Sequence, residues 1–315
     1  MGTYLARRLL ESVVLLLIVS VTTFGLIRSA PGGPSLLANP ELSRDDIAQM
    51  RQQLGLDDPL PVQYGRWLGN LFRGNLGASY ATVEPVGGLI RDRLPNTLAL
   101  TGLALLLSIV VAIPLGVLSA TRRNSRFDRL VAGVSFFGIS IPVFWLGIIL
   151  IILFSSQLRW LPAGGMSTLG EGFSLVDRLK HLALPTLVLA TANLAELTRY
   201  TRSGMITVLG EDYVRTAHAK GLARRAVVFR HAFRAALIPV VTVIGVLLPR
   251  AVSGAAITET VFSWPGMGRL AVEAATTRDY PVVMGTTLTV AVVVIASSLL
   301  TDVVYGFVDP RVRLA

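Results

Sequence analysis

Histidine occurs three times, at 181, 218 and 231, and cysteine does not occur. Three scattered imidazoles make no metal-ligand pattern, and without a thiol there is no disulfide, thiolate metal site or cysteine nucleophile. Lysine stands only at 180 and 220, and neither closes a G-x-x-x-x-G-K loop. The chain therefore has no phosphate-cradling P-loop. No nucleophile–base or metal motif argues for an intramembrane enzyme, so we expect no catalytic residues, no metal site and no cofactor in this chain. The remaining chemistry is charge in apolar surroundings. Arg250 lies about 13 residues into an apolar run, ~20 Å deep at 1.5 Å per residue. An arginine there faces a bundle interior or a water-filled path. It is either structural or a translocation-path contact. Glu196 and Arg199, at i and i+3 near the end of another run, form a local pair or contribute to the same path. Asp302 is placed to satisfy an arginine within the bundle, and Asp309 caps the tail.

Composition identifies the solvent of these groups. Of 315 residues 52% are hydrophobic and 15% charged, and the mean hydropathy is +0.63. A soluble chain of this size needs more polar surface, so the class is a polytopic, all-α membrane protein. The net charge of +10 does not argue for nucleic acid, because the arginines cluster beside apolar runs, where they signal topology.

A span needs about 20 mostly apolar residues. Six segments qualify: 9–27, 97–118, 130–154, 182–200, 237–257 and 282–305. Pro142 and Pro249 predict kinks in the third and fifth. Arg7 and Arg8 before the first run allow a cleaved signal peptide, but the run is long, and Arg28 would sit where a cut after Ala30 wants a small residue. An uncleaved first span fits better. The N-terminus, "SATRRNSRFDR" at 119–129, the stretch 210–239 and the tail "DPRVRLA" are all basic. The positive-inside rule puts these and both termini in the cytoplasm. Residues 28–96 then form an external segment. Ser43 with Asp46 reads as a capping box, Gly55 ends that helix, and Pro61 starts another with Trp67, Leu68, Leu71 and Phe72 on one face. It is a helical cap on the membrane surface or a docking surface. No internal repeat suggests an inverted-repeat transporter.

The stretch 210–239 is more than a basic connection. Glu211 and Asp212 suit a helix N-terminus, and Tyr213, Val214 and Ala217 share a face. Gly221 can close that helix in the left-handed conformation, with Leu222 packing back. Phe229, Phe233, Ala236 and Leu237, at i, i+4, i+7 and i+8, form the apolar stripe of a second helix. A helix, an elbow and a second helix result. Lipid-surface binding and gripping by a partner protein both remain open on these grounds.

"EDYVRTAHAKGL" at 211–222 resembles the cytoplasmic signature of ABC importer permeases, closest to the dipeptide/oligopeptide/nickel permease family. "RRLL" at 7–10, "APGGP" at 30–34, "LGLDDPLPVQYGRWL" at 54–68, "GNLGASY" at 74–80, "ETVFSWPGMG" at 259–268 and "YGFVDPRVR" at 305–313 extend the resemblance over nearly the whole chain. Departures are Gly33 for an aspartate, His218 for an arginine and Ala235 for an asparagine. The resemblance implies a type I importer transmembrane domain over 94–305, preceded by a first span with its external segment over 1–93 and followed by a cytoplasmic tail over 306–315. It implies that Glu211, Tyr213, Ala217, Ala219, Lys220 and Gly221 belong to a coupling helix, within about 210–236, that docks on a separate ATPase subunit. The implied partners are a second, homologous permease chain, two ATP-binding subunits that hold the ATP and magnesium, and an external substrate-binding protein. The implied cargo is a short peptide, with nickel or another small solute as the alternative. An ATP-independent secondary transporter would instead need exchangeable ionisable groups deep in the spans, and Arg250 is a poor one. The external segment with Phe262, Trp264, Pro265 and Gly266 reads as a rigid turn with an aromatic tip, either a membrane anchor or a contact for the binding protein.

Overall fold

The computed structural model describes residues 2–30, 33–34, 43–170, 172–253 and 255–308; the side chains at 2–5, 238, 250–253 and 304–308 lie outside the described set. The regular elements among the described residues are helices, joined by turns and loops, with one isolated bridge between Ala78 and Pro85. The helices are α1 (Gly2–Ser29), α2 (Arg44–Gln53), α3 (Leu60–Phe72), α4 (Val86–Thr121), α5 (Arg126–Ser140), α6 (Val143–Leu150), α7 (Leu175–Leu209), α8 (Asp212–Ala219), α9 (Arg224–Ala226), α10 (Phe233–Ser253), α11 (Ala256–Val261), α12 (Met267–Thr276) and α13 (Tyr280–Val308). Two π-helical turns interrupt them, at Ile151–Gln157 and Val227–Ala232.

Among the described residues, three helices are long and apolar enough to cross a membrane: Ala6–Ser29, Val86–Thr121 and Tyr280–Val303. Two bent pairs raise the number to five. The expected segment 182–200 falls within α7, which is long enough but carries Lys180, Glu196, Arg199 and Arg202. The predicted kink at Pro142 is a 104° break between Arg126–Ser140 and Val143–Gln157. Proline disfavours the helical region for the residue before it, and Ile141 is extended at φ −78°, ψ 125°. The other bend differs from expectation. It measures 46° between Arg224–Leu237 and Pro239–Pro249, so Pro239 rather than Pro249 marks it. Pro239 follows a π-helical turn, where the hydrogen-bond ladder is already irregular.

Packing groups the chain into two compact units. The first holds residues 1–97 and 265–295. Here the capping box of α2 is formed: Ser43 Oγ accepts from the Asp46 amide, and the Asp46 carboxylate accepts from the Ser43 amide. Gly55, at φ +63°, follows the helix. Trp67, Leu68 and Leu71 are part-buried, but Phe72 is 82% exposed and leaves the expected face. It is the last residue of α3. The Asp279 carboxylate accepts from Ser79 Oγ at 2.5 Å and from the amides of Tyr80 and Ala81. Val86 meets Gly285, where a methyl group would lie 2.5 Å from a Val86 methyl carbon.

The second unit holds residues 98–264 and 296–315. Its crossings use small residues that let helices approach. A methyl on Gly116 would lie 2.5 Å from Thr201 Cβ, and one on Gly245 would lie 2.1 Å from Thr301 Cγ2. Leu105, Ala112, Leu197, Val240, Val243 and Leu247 fill the core between α4, α7 and α10.

Candidate coupling site

Residues 211–221 fold as the sequence indicates. Glu211 is the extended residue before α8, its carbonyl accepting from the Val214 and Arg215 amides. Asp212 lies in the first turn, where the helix dipole favours an anion, and pairs with Arg215 at 2.6 Å. At the other end the Gly221 amide donates to the His218 carbonyl and the Leu222 amide to the Ala217 carbonyl. This is the Schellman closure, and it requires Gly221 at φ +73°. Leu222 does not complete the motif's apolar contact, since it is 42% exposed.

Only one face of α8 is held. Val214 and Ala217 are buried against Val117, Ala120, Met205, Val227, Val228, Ala232 and Ala236. Glu211, Tyr213, Ala219, Lys220 and Gly221 are exposed. Tyr213 therefore leaves the face that the sequence assigned it, at 46% exposure. Partial burial, then the charge of Glu211, holds its hydroxyl above the usual tyrosine range.

The second helix differs from its expected stripe. Val227, Val228, Ala232 and Ala236 are buried, Phe233 is part-buried, and Phe229 is 60% exposed. The stripe assumed 3.6 residues per turn, whereas Val227–Ala232 is π-helical. The wider turn inserts a residue and rotates the faces on either side out of phase. Arg224 Nη2 donates to the Thr121 carbonyl at 2.8 Å, tying the elbow to the end of α4.

Beside this cluster lies an ion pair that pattern reading missed. Arg202 on α7 donates to Asp128 on α5 through Nε (2.6 Å) and Nη2 (2.8 Å). The Asp128 carboxylate also accepts from Ser119 Oγ and from the Asn124 amide. Asp128 is 3% exposed. In the sequence it was one acid among four arginines. The available signal was the spacing Ser125-x-x-Asp128, which forms the cap of α5.

The other candidate residues are not brought to this site. Arg250 lies in α10, and its side chain is outside the described residues. Asp309 is also outside them. Glu196 is part-buried in α7. Arg199 does not form the expected pair with it; its guanidinium lies 5.5 Å from the Tyr200 ring centroid instead. The aromatic tip at 262–266 is not a tip. Phe262 and Trp264 are 1% and 2% exposed. Phe262 packs among Leu146, Leu150, Leu184 and Val188, and its carbonyl accepts from the Gly165 amide at 2.8 Å. Ser263, at φ +49°, is the exposed residue of the turn. Pro265 is part-buried and Gly266 buried. Burying large rings is favourable enough to turn this segment inward.

Comparison with known proteins gives these features a context. Residues 112–314 match the family model described as binding-protein-dependent transport system inner membrane component, and residues 1–101 match the N-terminal model of such membrane components. The chain is 45% identical over 315 residues to the oligopeptide transport system permease protein AppB of Bacillus subtilis (strain 168), covering 99% of this chain and 100% of that protein. It is 43% identical over 333 residues to the di/tripeptide transport system permease protein DppB of Pseudomonas aeruginosa (strain UCBPP-PA14), covering 99% of each. An inward-facing structure of the MetNI methionine ABC transporter shares the fold at a TM-score of 0.58 and 18% identity, over 70% of this chain and 96% of that one. A chain matched along almost its whole length, with several membrane-crossing helices, belongs to the binding-protein-dependent transport system inner membrane components: it is a multi-pass inner-membrane permease subunit of an ABC importer.

Proposed function

We propose that this chain forms half of the pathway of an ATP-driven importer for short peptides. The cargo is inferred from relatives named for oligopeptide and di/tripeptide transport. Six spans are assigned to α1, α4, the bent α5–α6 pair, α7, the bent α9–α10 pair and α13, with both termini in the cytoplasm. A second, homologous permease chain supplies the other half of the pathway. Two ATP-binding subunits hold the nucleotide and magnesium, and a substrate-binding protein delivers cargo from outside.

The observation that carries this reading is the half-held helix α8. Its inner face is locked by Val214 and Ala217, and its outer face and left-handed elbow stand free. Glu211, Tyr213, Ala219, Lys220 and Gly221 present the surface that an ATPase groove grips, and Ala217 anchors the opposite face. Closure of the ATPase pair moves α8, and its buried face passes that motion to the ends of α4, α7 and α10. Arg250 and Glu196 are assigned to the pathway by their position in spans. At the external turn 262–266, contact with the binding protein is assigned to Ser263 and Pro265, with Phe262, Trp264 and Gly266 as its buried support.

Purification of the tagged chain from its native membrane tests the reading. Recovery with ATP-binding subunits, and ATP-dependent peptide uptake by the reconstituted complex, is the expected result. Full transport by this chain alone would establish a secondary transporter, and uptake of nickel or another solute but no peptide would overturn the cargo.

A further inference from the structure

The second compact unit has an open cleft beside the elbow that the coupling reading does not use. Its volume is about 290 Å³, and its walls include Arg122, Arg224 and Arg225 together with Leu118, Val228 and Phe229. The hydrogen bond from Arg224 Nη2 to the Thr121 carbonyl joins its two sides, which are 103 positions apart in the chain.

The charge in this cleft is not neutralised by the protein. Arg122 and Arg225 are exposed. The Arg122 guanidinium lies 5.8 Å from the Phe127 ring centroid, a contact that steadies it without cancelling its charge. Among the described residues neither arginine has a carboxylate within ion-pair distance. The acids nearest to them in sequence are engaged, Asp128 by Arg202 and Asp212 by Arg215.

Beside the cations stand apolar side chains that face outward. Leu118 is 43% exposed. The π-helical turn that takes Phe229 off its expected stripe leaves its ring in this cleft. Leu118 also ends a track along α4. Leu103, Leu106, Val110, Pro114 and Leu118 are all exposed, and at about 100° per residue they fall on one face of the helix. Thr121, the last residue of α4, lies about 5 Å beyond Leu118 along the axis. Headgroups occupy a layer of about 5–7 Å on each side of the hydrocarbon core, so the arginines stand at headgroup level. An apolar track that ends at unneutralised guanidiniums matches the two parts of an anionic phospholipid, acyl chain and phosphate. An acidic loop of a protein would use the arginines and leave the track without a role.

We propose that this cleft binds the headgroup of an anionic phospholipid. The phosphate oxygens accept from the guanidiniums of Arg122 and Arg225. Arg224 keeps its bond to the Thr121 carbonyl and adds positive charge. An acyl chain runs along the α4 track past Leu118, with the Phe229 ring beside it. The inference rests on α4 crossing the membrane and is independent of the coupling and cargo readings.

Native mass spectrometry of the tagged full chain in an uncharged detergent tests this. The probes are dioleoyl phosphatidylglycerol and dioleoyl phosphatidylcholine, with an excess of inorganic phosphate as competitor. Phosphatidylglycerol should bind at least about tenfold more tightly than phosphatidylcholine. Inorganic phosphate should not displace it, because the acyl chain is part of the fit. Each basic group near an anionic headgroup is worth roughly fivefold, so Arg122→Gln with Arg225→Gln should weaken phosphatidylglycerol about 25-fold. Arg123→Gln with Arg126→Gln removes the same charge from exposed positions outside the cleft and should weaken it far less. Equal binding of the two lipids by the unmodified chain, equal losses in the two double variants, or displacement by inorganic phosphate would overturn the proposal. So would an Arg122/Arg225 double variant that binds phosphatidylglycerol unchanged but is no longer recovered with ATP-binding subunits, since the arginines would then serve a protein.

Discussion

Arg202 holds Asp128 with two parallel hydrogen bonds, of 2.6 and 2.8 Å, across the α5–α7 crossing. Asp128 is almost fully buried, and Arg202 is about one-third exposed. Removing one partner leaves a charge with nothing to balance it. We expect Arg202→Ala to destabilise the protein by roughly 3 kcal/mol, and Arg202→Lys by less, since an ammonium keeps charge but not the fork. The double change Asp128→Asn with Arg202→Met should be milder than Arg202→Ala alone. Thermal unfolding in detergent measures all three, and a double variant no more stable than Arg202→Ala would refute the coupling of the pair.

Gly221 tests the elbow without touching a contact. A methyl group there meets nothing within 4 Å, so substitution acts through φ +73° alone. Gly221→Ala should strain α8's closure by about 1–2 kcal/mol, and Gly221→Asn by less. In reconstituted complexes the alanine change should reduce ATP-driven uptake several-fold while the permease remains folded. Unchanged uptake with both substitutions would show that the left-handed turn is not used.

Gly116 and Gly102 form a matched pair in one helix. A methyl on Gly116 meets Thr201 Cβ at 2.5 Å and the Thr198 carbonyl at 2.9 Å, whereas one on Gly102 meets nothing within 4 Å. Gly116→Ala should cost about 1–3 kcal/mol through overpacking of the α4–α7 crossing. Gly102→Ala should be neutral or slightly stabilising, because alanine favours helix over glycine. Unfolding midpoints of the two variants check the contrast.

The cap of α2 has a pH signature. Bonds from the Ser43 hydroxyl and amide hold the Asp46 carboxyl below its ordinary range. A depressed folded-state pKa contributes stability above the unfolded value, near 3.9, and that contribution fades as pH falls through the folded one. Hydrogen exchange at the first amides of α2, corrected for intrinsic rates, should show protection lost on acidification. In Ser43→Ala much of it should already be gone at neutral pH.

The turn at 262–266, proposed to be external, can be mapped by photocrosslinking. A probe at exposed Ser263 should capture the binding protein, and one replacing buried Trp264 should not. Loss of folding in Phe262→Ala, a cavity-forming change worth about 3–5 kcal/mol, would support the packing role of the aromatic ring.

What could be read in the chain followed from patterns that span a few residues. Apolar runs mark where α1, α4 and α13 lie, Ser43 and Asp46 mark a helix start, and Gly221 marks an elbow. What escaped depends on phase and on distance in sequence. The π-helical turn at Val227–Ala232 rotates the buried face off Phe229, and no helical period contains that rotation. Trp264 and Phe262 resemble an exposed tip because a turn motif does not say which side of it finds a core. Asp128 and Arg202, 74 residues apart, resemble topology charges until folding places them together.

The clasp at Asp279 bears on how the protein is made. Its carboxylate ties off Ser79 and the amides of Tyr80 and Ala81, some 200 positions earlier in the chain. The first compact unit needs residues up to 295 and therefore cannot close until nearly all of the polypeptide has left the ribosome. Such long-range closure is slow. During synthesis the C-terminal end of α1 and the helices after it must wait for a late segment to arrive. A nascent chain halted before Asp279 leaves those backbone groups without their clasp, which makes closure of this unit a checkpoint for complete synthesis.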